Sequence, residues 1–82
     1  MVWVLVTVAS GFSGNPGDKI TGSSSDAIGR IIQVTGTSIY FYYLTSDITF
    51  TTSDTITNED NTNDSTNSRT CSAVTVTSKD IS

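Results

Sequence analysis

The side chains that could do chemistry here are carboxylates, and their spacing offers two possibilities. Asp18, Asp26, Asp47 and Asp54 could supply the two acids of a glycoside hydrolase, which must stand roughly 5 to 9 Å apart across a sugar cleft. Each, however, lies among Gly, Ser or Thr, where an aspartate ordinarily closes a turn by accepting from nearby backbone. Turn capping is therefore the expectation for all four. Asp60, Thr62 and Asp64 alternate as oxygen ligands of calcium do, with Asn58, Glu59, Asn61 and Asn63 beside them. A calcium loop starting at Asp60 would need Gly at its sixth place and Glu at its twelfth, and the chain has Ser65 and Cys71 there. That stretch reads as a solvated polar loop without a metal.

The remaining residue types narrow the chemistry further. With no His, the usual general base and the commonest metal ligand are missing. Cys71, the single cysteine, allows no intrachain disulfide, and its expected role is that of a small buried hydrophobe. The expectation is a non-enzymatic protein with no catalytic, cofactor or metal residues. Eight acidic residues face only Lys19, Arg30, Arg69 and Lys79, for a net charge of −4, so no basic stripe exists for phosphate and nucleic acid is not an expected partner. Met1 to Ala9 is apolar, but about nine residues cannot span a bilayer as a helix. No Lys or Arg precedes Lys19 to make this segment a signal peptide, so it reads as a strand and no membrane is expected.

These side chains must be positioned by β-structure. Among 82 residues there are eight Ile, seven Val and fifteen Thr, all β-branched, beside two Leu, three Ala, one Glu and one Gln. The expected fold is all-β: a small β-sandwich or partly open barrel of six to seven short strands in one domain, residues 1–82. Strands are expected at Val2–Val8, Asp18–Gly22, Ala27–Thr35, Ser38–Thr45, Ile48–Phe50, Thr55–Thr57 and Arg69–Ser78, with a polar loop over 58–68. Gly14-Asn15-Pro16-Gly17 predicts a tight type II turn, with φ preset at Pro16 and positive at Gly17.

Two segments stand out as surfaces for partners. In 1–10, Val2, Val4, Val6 and Val8 share one strand face while Trp3, Leu5, Thr7 and Ala9 share the other, so both faces are largely apolar. An apolar strand without Lys, Pro or a bulge to blunt its edge is a pairing template. Val2, Trp3, Val4, Leu5, Val6 and Val8 are accordingly expected in an intersubunit interface; the alternative is that the strand is the centre of the domain's own sheet. Ile39, Phe41 and Tyr43 alternate with Tyr40, Tyr42 and Leu44, forming an aromatic ridge. Its expected use is core and cross-strand packing, with Tyr40, Tyr42 and Tyr43 as candidate exposed contacts for a glycan.

The chain also repeats. Phe12 followed by Gly17-Asp18-Lys19-Ile20-Thr21-Gly22 recurs as Phe50 followed by Ser53-Asp54-Thr55-Ile56-Thr57-Asn58, and a polar stretch then leads to Arg30-Ile31-Ile32-Gln33-Val34 or to Arg69-Thr70-Cys71-Ser72-Ala73-Val74. Two degenerate three-stranded units are predicted. The first, with Phe12, Gly17, Asp18, Ile20, Thr21, Gly22, Ala27 and Gly29, resembles the short β repeats of virion structural proteins of tailed bacteriophages. That resemblance covers about half the chain, and the second copy departs from it at Ser53 and Asn58. It implies a capsid decoration or cement protein bound to the major capsid protein or other virion proteins, found in the virion after assembly in the host cytoplasm. It further implies a homo-oligomer, a trimer being favoured. A tail, neck, baseplate or fibre module and a carbohydrate-binding module are the alternatives.

Overall fold

The computed structural model describes residues 2–62 and 65–80. Period-two alternation of β-branched and aromatic residues yields six strands: β1 (Val2–Val8), β2 (Lys19–Gly22), β3 (Ile28–Thr35), β4 (Ser38–Tyr43), β5 (Thr55–Asn58) and β6 (Ser68–Asp80). They close into an antiparallel barrel in the order β1-β4-β3-β2-β5-β6. The all-β expectation holds, with the barrel closed rather than partly open. Inward-facing Val4, Val6, Val8, Ile20, Ile31, Ile39, Phe41, Ile56 and Cys71 fill it, and Phe12, Ala27 and Phe50 from the loops complete the core.

Ile48–Phe50 is not a strand. The Phe50 amide donates to the Tyr43 hydroxyl at 2.8 Å instead of to a neighbouring strand, and the ring is buried against Phe41 and Tyr43. Phe50 thus packs as a loop-borne plug, which is why period-two reading over so few residues miscounts the strands. The turn at Asn15–Asp18 forms as expected: the Asp18 amide donates to the Asn15 carbonyl at 3.1 Å, with φ +94° at Gly17.

β1 pairs along one edge with β4 and along the other with β6. Val4, Val6 and Val8 are buried inside the chain's own barrel. In the single chain these side chains take the alternative place, in the domain's own core, and neither edge of β1 is left for a neighbour in this closed form. Period-two alternation makes a strand two-faced but says nothing about which face its own chain will cover. The Val2 side chain lies outside the described residues.

The repeat is real and has a more regular geometry than its sequence. β2 and β5 lie side by side, Thr21 opposite Thr57, with Ile20 opposite Asn58 and Gly22 opposite Ile56, so an approximate twofold passes between them. It relates β3 to β6 and β4 to β1. The Ile31 amide donates to the Asp18 carbonyl at 2.9 Å, and the Cys71 amide donates to the Asp54 carbonyl at 3.0 Å. Beyond each, the register slips: Ile31 faces Phe41 and Gln33 faces Tyr40, while Cys71 faces Val8 and Ala73 faces Thr7. Val34 then meets Ile39 as Val74 meets Val6. Lys19 pairs with Arg30 and Thr55 with Thr70, so the counterpart of Arg30 is Thr70 rather than Arg69, a one-residue shift from the sequence alignment. The second unit is thus β5, β6 and β1, its third strand coming from the opposite end of the sequence.

Candidate functional site

The outward face of β1 and β4 follows directly from their alternation. With Ile39 and Phe41 turned inward, Tyr40 and Tyr42 turn outward; with Val4 and Val6 inward, Trp3 and Leu5 turn outward. Leu5 stands directly opposite Tyr40, and the Trp3 ring lies 5.3 Å from that of Tyr40 at 58°. Leu44, just past β4 and of the same parity, is 48% exposed and extends the stripe. Trp3, Leu5, Tyr40 and Tyr42 remain partly exposed. Across the strands, Arg30 pairs with Tyr42 and Gln33 with Tyr40, so the stripe has a polar margin.

Tyr43 does not belong to this face, contrary to its expected role as an exposed contact. Its ring packs edge-on against Phe41 at 4.9 Å and its hydroxyl accepts from the Phe50 amide. Burial is the main cause that raises its pKa, with the nearby Cys71 and Asp54 adding to it, and it serves as a neutral strut.

All four candidate aspartates lie at turns, and Asp18 and Asp54 anchor theirs through the carboxylate. Asp26 and Asp47 are exposed and have φ of 62° and 64°, the left-handed region that Asp tolerates in turns. Asp18 Oδ2 accepts from the Asn15 amide at 2.9 Å and from Asn58 Nδ2 at 3.0 Å. Asp54 is fully buried. Its Oδ1 accepts from the Ser24 and Ser25 amides at 2.7 and 2.8 Å, and its Oδ2 from the Thr51 amide and the Ser25 hydroxyl, both at 2.8 Å. Burial pushes the Asp54 carboxyl up, but these donors outweigh burial and hold it below the usual carboxylate range. It is an ionised group saturated by neutral donors, with no lone pair directed at a substrate.

Sequence reading expected Asp54 to cap a turn but missed its burial and that of Asn58. Asn58, expected in the solvated stretch, ends β5, fully buried; its Nδ2 donates to the Ser13 carbonyl at 3.1 Å and to Asp18, while its Oδ1 accepts from the Asp60 amide at 2.9 Å. The repeat alignment carried the signal, since it makes Asn58 the counterpart of Gly22 and Asp54 the counterpart of Asp18. Beyond Asn58, Glu59 and Asp60 are exposed, yet their carboxylates are tied back to β2. Lys19 donates its amide to Asp60 Oδ2 at 2.8 Å, and Thr21 its hydroxyl to Glu59 Oε2 at 2.8 Å. Of the calcium pattern, Asp64 lies outside the described residues; Asp60 already accepts from Lys19, 4.0 Å from the Arg30 guanidinium.

Cys71 is buried, and its thiol donates to the Ala73 carbonyl at 3.6 Å. Burial pushes its pKa up, the reverse of what a nucleophile needs. Asp18 and Asp54 are thus occupied with holding turns and Glu59 and Asp60 accept from β2, and the outward stripe on β1 and β4 is the candidate functional surface. Compared with protein-family models, curated proteins and solved structures, the chain matches none.

Proposed function

We propose that the protein is a non-enzymatic virion structural protein, a decoration or cement subunit that seats its β1–β4 face on the major capsid shell. The observation that carries this reading is the contiguous outward stripe of Trp3, Leu5, Tyr40, Tyr42 and Leu44 on a barrel whose interior is filled by its own side chains. Large aromatics surrounded by a polar margin are the side chains that dominate binding at protein interfaces. A standard interface buries about 800 Å² per partner, close to a fifth of the 4413 Å² that this chain exposes, so one face of the barrel suffices. The bacteriophage repeat resemblance supplies the shell as partner and a homotrimer as the form that binds it.

Counting copies in purified particles of the encoding virus by quantitative mass spectrometry tests this. Hundreds of copies per particle are expected. Six or twelve would move the protein to a neck or tail, and absence from the particle would overturn the reading.

One observation favours a second reading. The tilted Trp3–Tyr40 pair beside Arg30 and Gln33 also has the make-up of a sugar-stacking platform. A glycan array that returns saturable binding, lost in Trp3→Ala, would support a carbohydrate-binding module in place of the shell subunit.

A further inference from the structure

We propose that β1 is an exchangeable strand, passed between two copies of the chain so that each barrel is completed by the other's N-terminal segment. The observation behind it is that β1 alone forms no hairpin with a neighbour in sequence. β2 pairs with β3, β3 with β4 and β5 with β6, whereas β1 pairs only with β4 and β6. Together with the β2–β5 pairing, the other five strands form a continuous sheet, β4-β3-β2-β5-β6, whose two edges are bridged by β1.

The internal twofold sharpens the point. β4 and β1 are equivalent third strands, but β4 follows β3 through the two residues Gly36 and Thr37, while β1 is joined to the barrel through residues 9–18. The Ala9, Phe12 and Ser13 amides donate to the Thr70, Gly36 and Thr66 carbonyls and hold that part of the segment beside β1, which leaves residues 14–18 as the hinge; five residues reach about 17 to 18 Å when extended, comparable to the 18 Å shortest extent of the domain. Straightening the Asn15–Asp18 turn would therefore carry β1 across to an adjacent copy. The segment's anchor at Phe12, whose amide donates to the Gly36 carbonyl and whose ring is buried, would travel with the strand and dock on the same residues of the second copy.

The occupant of the β4/β6 gap is fixed by complementarity. The gap accepts a strand whose alternate residues are Val-sized, since Val6 faces Ile39 and Val74, and Val8 faces Cys71. β1 of a second copy has that pattern by identity, and exchange of an identical element leaves every native contact intact. Short linkers give effective concentrations of about 1 mM or more, so exchange competes with self-closure when chains are crowded to a similar level.

The test uses the directly opposed outward pair Leu5 and Tyr40. A chain carrying both Leu5→Cys and Tyr40→Cys must first close an intrachain disulfide, which verifies that the pair geometry suits a bridge. Chains with Leu5→Cys alone are then unfolded, mixed with chains carrying Tyr40→Cys alone, refolded together from about 10 µM to about 1 mM, and oxidised after dilution to one common concentration. The expected result is a covalent heterodimer joining position 5 to position 40, its share rising at least tenfold over that range. Monomers alone at every concentration would overturn the proposal, as would an equal yield when Leu5→Cys is mixed with Ser24→Cys on the β2–β3 turn. No particle is involved, so the result stands apart from the capsid reading.

Discussion

Gly22 and Asp54 touch across the barrel's end so closely that a Cβ on Gly22 would lie 2.8 Å from the Asp54 carboxyl carbon and equally close to a Phe50 ring carbon. The glycine is needed for space, not for backbone freedom. Its equivalent under the internal twofold, Asn58, has its own side chain reaching Asp18 at 3.0 Å, so the two halves solve one packing problem in opposite ways. Gly22→Ala is expected to destabilise the fold by about 1 to 3 kcal/mol through overpacking. Urea denaturation checks this, a lower midpoint at unchanged slope being the expected signature.

Asp54 anchors the Ser23–Asp26 turn and the Thr51–Asp54 turn at once. Asp54→Ala would strand the Ser24, Ser25 and Thr51 amides in a buried site and is expected to cost about 3 kcal/mol or more. The same group sets an acid limit. Its folded pKa lies below its unfolded value near 4, so its stabilisation is full above about pH 4 and lost as pH falls through the lower folded value. Denaturant unfolding from pH 7 to pH 2 should show a fall confined to that acid window. Asp54→Asn, less stable at neutral pH, should show a shallower fall there.

Legibility of the fold from sequence followed how local each determinant was. The alternation of valines in β1, of Ile39 and Phe41 in β4, and the Pro16-Gly17 turn are set within a few residues and were readable. The destination of each face was not, because whether Val4 and Val6 meet a neighbour or their own barrel depends on β4 and β6, reached from distant sequence. Phe50 read as a strand since an apolar residue between Thr residues suits both a strand and a plug. Asp54 reads as a local turn cap and Asn58 as solvated, and the burial of both escapes sequence because their partners Ser24, Ser25 and Ser13 lie 29 to 45 positions away. The outward stripe was half legible: Tyr40, Tyr42, Trp3 and Leu5 were singled out, but Tyr43 joins the core by parity with Phe41.

The twofold predicts that the order of the strands can be permuted. Val2 pairs with Asp80, so a short Gly/Ser connector from β6 to β1 would make both three-stranded units continuous. A permutant opened between Gly14 and Asn15 and joined in this way is expected to give the same β-type circular dichroism and a cooperative melt within about 10 °C of the parent, since only a surface turn is cut. Failure to fold would contradict the equivalence of β1 and β4.

Cys71 should be chemically silent in the native state. Its burial and raised pKa leave little thiolate, so an Ellman-type reagent at pH 8 is expected to react on the order of a hundredfold faster once the chain is unfolded in urea. Equal rates with and without urea would show the β6 thiol to be accessible.

The central claim is that the outward β1–β4 stripe seats the protein on a shell, and particle occupancy of a stripe variant tests it most directly. Trp3→Ser with Tyr40→Ser removes the aromatic pair from the surface while leaving Val4, Val6, Ile39 and Phe41 in the core. Purified particles lacking the protein are incubated with parent or variant, and bound copies are counted after sedimentation, with circular dichroism confirming that the variant is folded. Loss of both anchors, each worth about 2 kcal/mol or more at an interface, predicts occupancy at least tenfold lower at sub-saturating concentration. Parent-level occupancy by the folded variant would contradict the account.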